Sequence, residues 1–171
     1  MDLTVSAKCT VDYQATKTVQ GQVGKFATAI SEVLALVDGT GAGQVDKIYV
    51  DKDKTLAHST TQSYDLSGSL TDLFGDSCVF AKVKGILLLN LSDDRDVPTT
   101  PQLSVGGNTN ALVNWISAAS DFVVVDAGGW FGIFSPDGYD VTADTGDVLD
   151  IENLDGAEEA TYTLVIIGTT A

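Results

Sequence analysis

From Phe122 onward, short apolar runs alternate with turn-forming residues, and this punctuation constrains the fold more than any other feature of the chain. The runs cover 122–125, 130–134, 139–141, 148–151 and 161–167. Between them stand Gly128-Gly129, Pro136-Asp137-Gly138, Thr145-Gly146-Asp147 and Asp155-Gly156. Runs too short for helices, with a turn signal roughly every 8–12 residues, predict the strands of a sandwich or jelly roll.

The upstream sequence extends this pattern. Val45, Lys47, Tyr49 and Asp51 alternate with Asp46, Ile48, Val50 and Lys52, the period of a half-buried strand. A polar strand rich in Ser and Thr is expected over 55–66. Residues 79–91 are the strongest core candidate, because alternation gives way to Ile86-Leu87-Leu88-Leu89. Residues 26–37 fit either element: Ile30, Val33, Leu34 and Val37 have helical spacing, yet the segment is β-branched. Asp38-Gly39-Thr40-Gly41-Ala42-Gly43 then breaks regular structure. Residues 92–101 read as an exposed loop. Leu112, Trp115, Ile116 and Ala119 suggest a short helix over 110–119, with Asn108 or Asn110 as its cap. The fold expected is all-β: a jelly-roll-like or β-sandwich domain of antiparallel strands over 26–171, preceded by an N-terminal strand or arm over 1–25.

Charge narrows the partners. The chain has 24 acidic and nine basic residues, a net of −15. All nine Lys and Arg lie at or before Arg95, so the stretch from Asp96 carries −12 and the first 95 residues only −3. Nucleic acid requires clustered cations, which are lacking, and anionic membrane surfaces are disfavoured for the same reason. The longest near-apolar run, 85–89, is far too short for a bilayer. The start, Met1 to Val5, has neither a basic nor an apolar leader region, so synthesis in a cytoplasm without Sec-type export is expected. Cys9 and Cys78 make no disulfide framework or metal site by themselves, and their pairing is left open.

No motif carries chemistry convincingly. His58 is the only histidine, and no Gly-x-Ser-x-Gly elbow accompanies it. Asp51-Lys52-Asp53-Lys54-Thr55 imitates the nucleophile segment of haloacid dehalogenase-type phosphatases, which also need a parallel sheet, crossover helices and Mg²⁺. The surrounding sequence reads as strands. The same stretch fails as a calcium loop, because Thr55 and Leu56 stand where an acidic or amide residue and Gly are needed. Asp93, Asp94 and Asp96 offer oxygen ligands, but Arg95 sits among them. Neither a P-loop nor a Gly-x-Gly-x-x-Gly opens a helix. The expectation is a protein without catalytic residues, cofactor or metal.

The aromatic residues are better read as packing or contact. Trp130 and Phe131 are neighbours in a strand, so one of them should point away from the core. That outward ring is the best candidate for contact with a neighbouring subunit.

Three segments in succession resemble the capsid cement or decoration proteins of tailed bacteriophages. The first is 36–49, around Asp38-Gly39-Thr40-Gly41-Ala42-Gly43. The second is 64–75, with Asp65-Leu66-Ser67-Gly68, followed by 80–84. The third combines Gly128-Gly129, Gly138-Tyr139, Gly146-Asp147-Val148 and the closing Thr161-Tyr162-Thr163-Leu164. The resemblance spans about residues 30–168. It implies a jelly-roll-like domain, often trimeric, that binds the major capsid protein on the outside of the virion shell and brings no catalytic residues. A mixed-charge N-terminal half facing the shell, with Lys82 and Lys84 in contact, and an acidic half facing water would suit that role; Trp130 and Phe131 complete the expected interface. The alternatives are a tail or fibre accessory protein and a carbohydrate-binding β-sandwich module.

Overall fold

Alternation with few helix-favouring stretches produces a chain in which strands account for all the regular structure among the described residues. The computed structural model describes residues 2–19, 22–92, 101–107 and 109–170. The chain opens with β1 (Val5–Val19) and β2 (Gln22–Asp38), an antiparallel hairpin in continuous register from Val5 opposite Leu36 to Val19 opposite Gln22. The ambiguous segment 26–37 is therefore strand, and the return strand of the arm runs on well past residue 25. A two-residue strand, β3 (Gln44–Val45), lies parallel to the end of β2.

Eight further strands form two antiparallel sheets. One is ordered β4 (Lys47–Leu56), β11 (Ala160–Thr169), β6 (Lys82–Asn90), β9 (Trp130–Asp140). The other is ordered β5 (Thr61–Asp65), β10 (Val148–Asn153), β7 (Leu103–Gly106), β8 (Phe122–Val125). Both contribute to one buried cluster: Ile86, Leu88, Leu164 and Ile166 from the first, Leu103, Val105, Leu149 and Ile151 from the second. The molecule is thus an all-β protein of antiparallel strands in several sheets.

Two expectations are corrected. Residues 110–119 form turns and a bridge from Ala111 to Val148 rather than a helix. Their apolar residues do reach the core, with Leu112 buried and Trp115 packed against it. The Leu112 amide donates to the Val148 carbonyl, so β10 and not a helical turn takes that hydrogen bond. The second correction concerns charge. β4 and β6 come from the near-neutral half of the chain and β9 and β11 from the acidic half, yet all four share one sheet. The two halves therefore interleave and do not become two faces. The asymmetry in space is different. Residues 1–38 hold four acids and three lysines, a net of −1, leaving −14 on the remainder. The exposed loop expected over 92–101 and the acidic group at Asp93, Asp94 and Asp96 lie almost wholly or wholly outside the described residues.

Candidate docking surface: a hairpin and the groove at its root

Directly paired residues of an antiparallel ribbon project to the same side, so the register of β1 and β2 sorts their side chains into two faces. One face carries Val5 with Leu36, Ala7 with Leu34, Cys9 with Glu32, and Val11 with Ile30. The other carries Ser6, Lys8, Thr10 and Asp12, with Val33 and Ser31 across from Lys8 and Thr10. Thr10 and Ser31 are joined there by a hydroxyl–hydroxyl bond of 3.0 Å. At a rise of about 3.3 Å per residue, the 15 residues of β1 span roughly 50 Å.

The root of the apolar face packs onto the outer side of the β4-β11-β6-β9 sheet. Leu36, Val45 and Ile167 are buried together there, flanked by Val5, Leu34, Ile48, Phe134 and Val165. Further along, ribbon and sheet part, leaving a groove of about 530 Å3. Ala7, Cys9 and Leu34 form its wall, Leu87, Gly132 and Val165 its floor, and Trp130 stands at its border on edge strand β9. Lys8 and Glu32 are the only charged residues among the described ones that line it.

Glycine sets the shape of the floor. A Cβ on Gly85 would lie 2.3 Å from the Phe134 ring, so only a residue without a side chain lets that ring lie across β6. Outside the groove the apolar face of the hairpin stays uncovered: Val11 is 54% exposed and Ile30 61% exposed.

The four residues expected at an interface have separate fates. Trp130 points outward and is 64% exposed, while Phe131 turns inward and packs against Trp115 with ring centroids 5.5 Å apart. The alternation argument from sequence thus held for this pair. Lys82 pairs with Asp140 on the neighbouring strand β9. Lys84 is only 1% exposed, and its ammonium donates to the carbonyls of Gly41 at 3.2 Å and Pro136 at 2.6 Å. Burial, and then the nearby Lys82 charge, lower its pKa, with Asp137 opposing. It fastens the glycine-rich root of the hairpin to β9 and is not available to a partner. The 130–131 alternation could be read from sequence, but the groove could not. Its signals, an amphipathic hairpin, Gly132 on the floor and Gly85 beneath the Phe134 ring, acquire meaning only once the strand order is known.

The imitations of catalytic motifs are absorbed by the fold. Asp51 accepts from the Tyr64 hydroxyl at 2.8 Å. Asp53 is exposed with φ of 52°, beside the register shift at Tyr162 and Leu164 where β4 pairs with β11. That pairing is antiparallel, so the parallel scaffold of the phosphatase motif is missing. His58 is exposed on the turn between β4 and β5. Cys9, exposed, and Cys78, buried, are both free thiols. Among the described residues no group of three or more His, Cys, Asp and Glu is placed to hold a metal ion. Compared with known proteins, the chain matches no family model, no curated protein and no solved structure.

Proposed function

We propose that this protein is a non-enzymatic virion component that binds the outer surface of a phage capsid and reinforces it. The observation that carries this reading is the hairpin: a near-neutral, amphipathic ribbon set on a body of net charge −14. Two strands alone are marginally stable in water, and an exposed ribbon with apolar residues gains most when a partner covers it. The body supports the reading through its strand order. One sheet takes β4, β6, β9 and β11 and the other β5, β7, β8 and β10, so that only β7 and β8 are sequence neighbours within a sheet, and we read this order as the double Greek key of a jelly roll. In this reading the hairpin, with Lys8 exposed on its polar face, lies on the shell and the acidic body faces solvent. The contacts are modest singly and are multiplied by capsid symmetry.

The test is co-sedimentation of the purified protein with shells, from the virus that encodes it, that lack it. Saturable binding, weakened at least tenfold by Lys8→Glu with Lys25→Glu, is the expected result. Binding to purified tails in place of shells would move the protein to the tail-accessory alternative, and binding to neither would end the virion reading. A second reading has one observation in its favour: the exposed Trp130 ring offers a stacking surface for a sugar. Saturable quenching of its fluorescence by an oligosaccharide panel, lost in Trp130→Ala, would place the carbohydrate module first.

A further inference from the structure

We infer that the groove at the hairpin root receives the apolar stripe of a second copy's hairpin, so that neighbouring copies are joined arm into groove. This goes beyond shell binding and does not depend on it.

The first argument is continuity. Within one chain the stripe already packs on the sheet, with Leu34 and Leu36 against Val165 and Ile167. That contact stops partway along both surfaces. On the ribbon, beyond the Cys9 and Glu32 pair, the same face continues to Val11 and Ile30, 54% and 61% exposed. On the sheet the apolar floor continues to Leu87, Gly132 and the 64% exposed Trp130. Each uncovered surface is the extension of one already seated against the other kind. A second copy supplies the missing half of both.

The second argument is charge. Two bodies of −14 repel, whereas residues 1–38 carry only −1 and can approach a body at little Coulombic cost. The groove floor is uncharged in a protein of net −15, the depletion that marks the centre of an interface. An exposed indole at its border is the residue type that most often dominates such a contact.

Arm and groove are different surfaces, so the contact is heterologous. It closes either by exchange between two copies or as a ring. This gives the test its form. Light scattering should find the intact protein at a multiple of 17.9 kDa. Val11→Asp with Ile30→Asp spoils the arm, and Trp130→Ala spoils the groove; all three positions are exposed, and circular dichroism checks that the fold is kept. Each variant should associate at least tenfold more weakly than the intact protein. Mixing the two variants should restore one contact, between a good arm and a good groove, and give a heterodimer. A monomeric intact protein at every concentration overturns the inference, and so do variants that keep the original mass. Variants that dissociate but are not rescued by mixing also overturn it, since the stripe would then pair with another stripe. Variants that keep their mass but lose shell binding assign the surface to the capsid, leaving the capsid reading standing without this one.

Discussion

Tyr64 and Tyr162 meet inside the body with their hydroxyl oxygens 2.6 Å apart, and Tyr64 donates onward to Asp51 at 2.8 Å. Each phenol has one proton, so Tyr162 must donate to Tyr64. Burial above all, with the Asp51 charge adding to it, pushes the Tyr162 pKa up to about 12. Tyr64 is raised as well, by burial first and also by the bond it donates to the Asp51 carboxylate. A group whose folded pKa lies above its unfolded value, about 10 for tyrosine, favours the folded state fully below the unfolded value. That contribution is lost as pH climbs through the folded value. Thermal unfolding followed from about pH 9 to about pH 12 should show Tm falling across this window. Tyrosinate absorbance from this pair should appear together with unfolding. A signal from both rings while the fold is intact would mean that the pair is open to solvent.

At the scale of the element, the hairpin depends on its root. Leu36 is fully buried against Val45 and Ile167, so Leu36→Ala removes the seal between ribbon and body. A loss of about 2–5 kcal/mol is expected. Hydrogen exchange should show amides of β1 and β2 losing protection before those of β6 and β11. Uniform loss would mean that ribbon and body unfold as one unit. The same element shows what sequence patterns convey. The short apolar run at 122–125 gives β8 correctly, and the order of Trp130 and Phe131 follows from the pleat. At 26–37, Ile30, Val33, Leu34 and Val37 satisfy two periodicities at once, and only pairing with β1 decides between them. β9 looks like two runs because Pro136 interrupts it. As an edge strand it tolerates a residue without an amide proton, and the Pro136 carbonyl still accepts from Gly43 and Lys84. Lys84 was the least legible of all. A lysine in an alternating strand reads as solvent-facing, and the two carbonyls that hold it inside come from residues 43 and 52 positions away.

At the scale of the whole molecule, the charge of −15 opposes every encounter between copies. The groove floor and the residues Val11 and Ile30 that would meet it are apolar, so salt should screen the repulsion between bodies and leave that attraction intact. Raising ionic strength to about 0.1 M shortens the reach of that repulsion to roughly 10 Å. Sedimentation across a salt series should therefore show association strengthening several-fold as salt rises. Weakening with salt would identify ion pairs as the bond between copies. The placement of the cysteines follows the same division between inside and outside. Cys78 is buried, and burial above all pushes its thiol up to about 11, so it stays protonated and shielded at neutral pH. Cys9 is exposed on the wall of the groove. The native chain thus contains its own chemical stopwatch: the rate at which an alkylating reagent consumes one thiol per chain measures the fraction of time the groove stands empty.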